Sequence, residues 1–392
     1  MRVLLVTDWT AERGGVETYL VQLRHGLEVS GVETRLLVSS VGDGAGQADY
    51  VAPGSDRAAV QALSQLVNPA AMRAVRSAVR DFRPDVVHVS GFELQLSPAV
   101  LAALAGTPSV VNVAWTKPVC PTGHKLLPGG ALCERRWGVA CREEGCLHGV
   151  RWVRELARYR MIAVALRSAT AIVTCSRHMR SMLATHGLAA RALDWPALPP
   201  GPSFARSRAA RPVFVAAGRL SREKGIVTLI ESLSRIRAGG VDACVRLVGD
   251  GPQRASIERL AARLGVADAV EITGWVEHDA VEAYLQDAWA LVAPSLWAEP
   301  LGLSAVEAIV RGVPVVASAV GGYAETVEPG VTGLLCRNGD VDDLARCLDD
   351  VARGRAFGDG TLAHAAVERL ARRHALVTHV EALSGIFEEI SR

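Results

Sequence analysis

The segment AEPLGLSAVEA, Ala298 to Ala308, carries two glutamates, Glu299 and Glu307, around a Pro-Leu-Gly turn. Pro300 and Gly302 break a helix or begin one, and Leu303 to Val310 has the make-up of a helix interior. One carboxylate therefore stands in a loop ahead of a helix, and the other more than a turn inside it. A second charged constellation is AAGRLSREKGIVTLIESL. Here Gly218 lets the backbone turn, Arg219 and Lys224 offer positive charge, and Gly225 opens a helix expected over Ile226 to Ser234. A helix N-terminus beside two cations suits a diphosphate, although the same spacing also describes a solvated basic loop. Lys224 stands out because the 43 basic residues include only three lysines, Lys117, Lys125 and Lys224.

Cys120, Cys133, Cys141 and Cys146 fall within 27 positions, with His124 and His148 close by. The glycines and prolines between them leave little regular structure, so an ordered loop there needs a cross-link. Cytosolic thiols are kept reduced, and four in one loop favour a structural Zn²⁺ held by these cysteines. Their x12, x7, x4 spacing lacks the C-x-x-C pairs of common zinc ribbons, so disulfides and free thiols stay open as readings. Arg151, Arg154 and Arg158 form one helical face with Trp152, Leu156, Tyr159 and Ile162 interleaved. A solvated face suits them better than a membrane contact with anionic lipid. His88, near the end of DVVHVSG, is read either as a cleft-facing group or as a structural histidine.

These residues need elements to position them. A chain of 392 residues has room for two domains with full cores. At 49% hydrophobic and 21% charged it is globular and ordered. The formal charge of +2 argues neither way about an anionic polymer, no long basic run appears, and nucleic acid is not expected as a partner. The opening MRVLLVTDW has too short an apolar run for a signal-peptide core, and a cytoplasmic enzyme is the expectation.

Met1 to Val6, the Gly14-Gly15 turn, apolar residues at helical spacing over Val16 to Leu27 and a strand at Thr34 to Ser39 make a β-loop-α-β opening. Strands at Val86 to Val89, Ser109 to Val113 and Ala171 to Cys175 extend it into a Rossmann-like domain over residues 1–195, with a Cys-rich loop at 114–149. The Pro-rich run from Pro196 and the arginine-rich stretch after it read as a linker, 196–211. A second series, 212–375, places strands at Val213 to Ala217, Val245 to Val248, Val270 to Ile272, Ala290 to Ala293 and Val313 to Ala317. Residues 376–392 are expected as a C-terminal helix that packs back on the first domain. The fold class is α/β: two Rossmann-like domains facing each other across a cleft, with ligands at the carboxyl ends of the strands.

GRLSREKG, LVGDGPQ, ITGWV, AEPLGLSAVEA, GVPVVASAVGGYAETV and GVTGLL occur in this order, with Gly14-Gly15-Val-Glu-Thr near the start. Together they resemble the retaining nucleotide-sugar glycosyltransferases of family 4, which have the GT-B fold. The resemblance covers nearly the whole chain and is densest from Val213 to Leu335. It implies an NDP-sugar donor of UDP or GDP type, with Glu307 on the ribose hydroxyls and Glu299 by the donor sugar. Backbone amides around Leu301 to Ser304, Leu303 among them, would cap the diphosphate, and Arg219 and Lys224 would be the phosphate-binding pair and the main catalytic groups. Gly14, Gly15, Gly218, Gly249 and Glu325 would line the donor site; for Gly14, Gly15 and Glu325 a plain turn remains the other reading.

The reaction implied is front-face displacement onto a hydroxyl acceptor, a small molecule, natural product or lipid-linked sugar, with no metal required for catalysis. The chain departs from the family where many members carry His-Asp after a first-domain strand: it has Ala114 and Trp115 there. His88 becomes a catalytic candidate for that reason. A sugar-nucleotide epimerase of the same fold and a catalytically silent nucleotide-sugar-binding partner are the competing readings.

Overall fold

The structure, a computed structural model, describes residues 1–8, 15–41, 48–200 and 204–392, without side chains for residues 15–17. It divides into two units: residues 1–128, 133–196 and 375–392 form the first, and 129–132 with 197–374 the second.

Seven short strands build the first sheet: β1 (Arg2–Thr7), β2 (Glu33–Ser39), β3 (Tyr50–Ala52), β4 (Val86–Val89), β5 (Ser109–Asn112), β6 (Ala171–Thr174) and β7 (Arg191–Ala192). All pairings are parallel, in the order β3-β2-β1-β4-β5-β6-β7. Strands such as Val86–Val89 are buried throughout because helices cover both faces of a parallel sheet, so they read as unbroken apolar runs. The helix Pro69–Phe82 shows how local chemistry sets an element's ends. Asn68 caps it by accepting from the Ala71 amide, proline occupies its first turn, and Arg83 leaves it with φ 49°. The C-terminal helix Leu376–Ser391 belongs to this unit and packs on the helix Gly15–Val29. Val380 sits so close that a Cβ on Gly26 would meet its Cγ2 at 2.7 Å. Tyr19 adds a hydroxyl contact to His379 Nε2 at 3.0 Å and stacks on Trp195 at 4.1 Å.

The second unit holds β8 (Val213–Ala217), β9 (Cys244–Val248), β10 (Val270–Gly274), β11 (Ala290–Ala293), β12 (Val315–Ser318) and β13 (Gly333–Cys336). These are also parallel, in the order β10-β9-β8-β11-β12-β13. One core, including Leu229, Leu233 and Leu348, covers one face, and another, including Val306, Ile309 and Leu370, the other. The latter part of the expected linker belongs to this body. Arg206 donates to the Ala288 carbonyl at 2.7 Å, and the Trp289 indole N–H donates to the Ala209 carbonyl at 2.8 Å.

The expectation of one solvated face for Arg151, Arg154 and Arg158 needs correcting. On the helix Gly149–Ser168, Arg158 turns inward, is 2% exposed, and donates to Glu155 Oε2 at 3.2 Å and to the Glu93 carbonyl at 2.5 Å. Among the described residues no helix is long and apolar enough to cross a membrane.

Candidate active site

The second sheet has a switch point. From β8 the chain moves outward through β9 and β10 on one side, then returns to β11 and continues through β12 and β13 on the other. The loops after β8 and β11 diverge, which leaves a crevice at the strands' carboxyl ends. A concavity lies there, lined by Gly218, Arg219, Lys224, Ser295, Ser304 and Tyr323.

Glycine makes the close approaches that shape it. The turn Arg222–Lys224 ends on Gly225 at φ 68°, where a Cβ would stand 1.9 Å from the Pro294 carbonyl oxygen. This contact carries Lys224 to Glu299, with which its ammonium forms an ion pair, while Ser295 Oγ donates to the same carboxylate oxygen at 3.3 Å. The strand ahead of Lys224 is tied sideways as well, since the Gly218 amide donates to the Val248 carbonyl at 2.9 Å, beside Gly249. The Gly321-Gly322 pair seats the Glu299 loop: the Gly322 amide donates to the Glu299 carbonyl at 2.7 Å. The helix Leu303–Val310 then starts from Gly302 in the left-handed region. The Ala305 amide donates to the Gly302 carbonyl at 2.9 Å to close the first turn, and Ser304, at the positive end of the helix, shares the concavity's wall with Arg219 and Lys224. Two cations and a helix N-terminus thus line one crevice. Glu325 lies on the short helix Tyr323–Thr326 beyond it.

The Lys224 ammonium is held in its charged form. Burial works against the Lys224 ammonium, but Glu299, then Tyr323 and Glu223, hold its pKa above the ordinary lysine value. Burial, with Glu299 next, pushes the Tyr323 hydroxyl up to about 12, so it stays neutral. Glu307, further along the helix, pairs with His278 Nε2 through Oε1 at 3.1 Å. Tyr323, Ser295 and His278 were missed in the sequence. The aromatic in GGYAETV was the available signal for Tyr323; nothing local marks the other two.

In the first unit Gly14 lies outside the described residues, and Gly15 begins the helix Gly15–Val29. His88 does not take the role expected of it. It lies within β4, 0% exposed, with Tyr19 at 6.4 Å and Phe387 edge-on at 5.9 Å between ring centroids, and its Nε2 meets Ser90 Oγ at 2.9 Å. Burial pushes its pKa down to about 3, so the ring is neutral and sealed from substrate. The physical reason is the terminal helix, which covers this face of β4.

Other carboxyls occupy the ends of these strands. Asp8, after β1, accepts from the amides of Leu94, Gln95 and Leu96 at 2.8, 2.9 and 2.7 Å. Glu93, after β4, is 2% exposed, and burial, then Asp8, pushes it up to about 7. The Trp115 indole N–H donates to Glu93 Oε1 at 3.4 Å, so the residue standing where the family has aspartate has a carboxyl partner on the neighbouring loop. Ala114 is buried beside it.

The four loop cysteines are free thiols. Lys125 links two of them: its amide donates to Cys120 Sγ at 3.4 Å and its carbonyl accepts from the Cys133 amide at 2.8 Å. The Leu147 amide donates to the Cys141 carbonyl at 2.9 Å and closes the turn that holds Cys141 and Cys146. Burial first, and the neighbouring thiols after it, push Cys141 and Cys146 up. Among the described residues no three His, Cys, Asp or Glu side chains converge as metal ligands, so the thiols as placed do not form a zinc site.

Comparison with known proteins agrees with this geometry. The family described as Glycosyl transferases group 1 matches residues 204–368, and the Glycosyl transferase 4-like domain matches residues 14–201. The chain is 31% identical to the 2-deoxystreptamine N-acetyl-D-glucosaminyltransferase of Streptomyces fradiae, over 94% of its own length and 90% of that protein's. It is 34% identical to the 2-deoxystreptamine glucosyltransferase of Streptomyces kanamyceticus, over 48% of this chain and 54% of the other. The crystal structure of HepE from Anabaena in complex with UDP matches with a TM-score of 0.72 at 20% identity, covering 99% of this chain and 100% of that one. At that identity the likeness is one of fold. The near full-length match to the S. fradiae enzyme and the two family regions settle the assignment: the chain belongs to the group 1 glycosyl transferases and is a hexosyltransferase-type glycosyltransferase of the GT-B fold.

Proposed function

We propose that the chain is a retaining glycosyltransferase that passes a sugar from a UDP- or GDP-type nucleotide sugar to a hydroxyl of a small acceptor. One observation carries this reading: Arg219, Lys224 and the first turn of the helix Leu303–Val310 share the wall of one crevice. Charge grows on the diphosphate as the bond from sugar C1 to the phosphate oxygen breaks, and fixed cations stabilise it without reorganising. Glu299 holds the Lys224 ammonium and lies by the donor sugar, while Glu307 takes the ribose hydroxyls. The acceptor oxygen bonds to C1 on the face the diphosphate leaves, and its proton passes to the departing phosphate oxygen. The configuration at C1 is thereby kept. Positioning and charge stabilisation account for the catalysis.

Because two similar enzymes are named for 2-deoxystreptamine, an aminocyclitol heads the acceptors to test, followed by lipid-linked sugars. Nucleotide release is measured from a panel of UDP- and GDP-sugars, with and without these acceptors, and the product's anomeric configuration is read by NMR. Acceptor-dependent release with retained configuration is expected. Conversion of the sugar nucleotide to an epimer, or binding with no turnover at all, would overturn the reading.

A zinc ion at Cys120, Cys133, Cys141 and Cys146 is the companion proposal. Binding would have to draw the thiols in from their present positions, a rearrangement a glycine-rich loop permits because metal affinity is coupled to local folding. Elemental analysis of chelator-free protein is expected to find about one zinc per chain; a value well below that ends the idea.

A further inference from the structure

Glu307 is not left to solvent. Its side chain is 13% exposed, and Oε1 meets His278 Nε2 at 3.1 Å. The two residues come from different loops: His278 opens a short turn after β10, while Glu307 lies on the helix after β11. A second tie holds the same two segments together. Arg311, which follows that helix, pairs with Glu282 at 2.8 Å, with side chains only 7% and 17% exposed. Val276, Val281 and Tyr284 also pack against the core to which Val306 and Ile309 belong. The imidazole is therefore delivered to the carboxylate by packing and by a largely buried ion pair, and does not reach it by chance from a mobile loop.

The charge balance favours the contact. Its hydrogen bond to Glu307 is the main reason the pKa of His278 is raised; burial opposes this, Asp279 supports it and Arg311 weakens it. A carboxylate has about four lone-pair directions on two oxygens, so an imidazole on Oε1 leaves Oε2 available to a diol. A glutamate side chain without such a partner would rotate among several rotamers, and fixing it beforehand lowers the cost of forming two directional hydrogen bonds.

We propose that His278 is a positioning residue for the donor nucleotide: it fixes Glu307 so that the carboxylate reads both ribose hydroxyls, and this makes the site select ribonucleotides over 2′-deoxyribonucleotides. The inference rests on the reading of Glu307 as the ribose-holding group.

The test is calorimetric titration of the full chain with UDP, GDP and their 2′-deoxy analogues. Wild type, His278→Phe, His278→Gln and Glu307→Ala are compared. Phenylalanine keeps the ring's bulk without the N–H, and glutamine restores a donor. His278→Phe is expected to lower the ribo-to-deoxy affinity ratio about tenfold, since a hydrogen bond to a charged group is at stake. Affinity for the deoxy analogue should stay within about threefold of wild type, and His278→Gln should recover most of the ratio. Glu307→Ala should abolish the preference. A His278→Phe ratio equal to wild type, or an equal weakening toward both sugars, would overturn the role of His278 while Glu307→Ala still reports on the ribose. If Glu307→Ala itself leaves the ratio unchanged, the ribose reading falls, and this proposal with it.

Discussion

The carboxyl ends of the two sheets use similar residues to opposite effect. In the first unit, Asp8, Glu93 and Arg158 are each at most 2% exposed, and their bonds go to protein. Asp8 alone takes three backbone amides. In the second unit, Arg219 and Lys224, the latter paired with Glu299, line an open crevice beside the first turn of the helix Leu303–Val310. Buried charge must be satisfied from within, because leaving it unpaired costs several kcal/mol. Charge held at an open crevice has been kept for something that arrives from outside. The difference separates structural from functional charge more sharply than residue type does.

Breaking the open half should have the largest effect. Lys224→Ala and Arg219→Ala are each expected to lower turnover about 10²- to 10³-fold without unfolding the chain, the usual cost of losing one fixed stabiliser of developing charge. Steady-state kinetics with the active donor checks this; near wild-type turnover in both variants would dissolve the contrast between the units. Next comes the backbone that aims Lys224. Gly225→Ala would place a Cβ 1.9 Å from the Pro294 carbonyl oxygen at a φ of 68°. A loss of about 3 kcal/mol is expected from overpacking and left-handed strain together, readable as a lower denaturation midpoint; an unchanged midpoint would mean that the turn is not fixed by this contact.

The sealed half offers a pH test. An unfolded Glu93 ionises near 4.5, and the folded group is pushed up to about 7. Between these values the native state keeps a proton that the unfolded chain releases, so the group's stabilising contribution, full below pH 4.5, is lost as pH rises toward 7. Glu93→Gln removes this dependence. The variant should match wild type near pH 4.5 and exceed it by up to about 3 kcal/mol at pH 8. Urea titrations at the two pH values decide it, and a difference that does not vary with pH would show that Glu93 is not a sealed, titrating carboxyl.

How much of this could be read from the chain follows the same division. The strands Val86–Val89, Val213–Ala217 and Ala290–Ala293, and the helix Leu303–Val310, have the predicted bounds, because apolar runs there are flanked by residues that end them. The strands β3, β7 and β13 are not legible in the sequence, since three residues or fewer make no pattern in the first two, and Gly333–Cys336 falls largely within the GVTGLL motif. All three take their place by pairing with one neighbour, β2, β6 or β12. Arg219, Lys224, Glu299 and Glu307 were legible because the motifs that resemble the family carry them. The Lys224–Glu299 pair spans 75 positions, and no local spacing announces it. His88 and Arg158 were misread for one reason: which face of a strand or helix is covered depends on elements distant in sequence, here Phe387 for the histidine and Glu93 for the arginine.

The central claim, that the second unit's crevice holds a diphosphate, has a direct test that needs no acceptor. Calorimetry compares wild type and Lys224→Ala with UDP, GDP and the parent nucleosides. The account predicts that the diphosphate the protein prefers loses at least about tenfold in affinity on substitution, while its nucleoside binds both proteins alike. Equal diphosphate affinity in wild type and Lys224→Ala would contradict it.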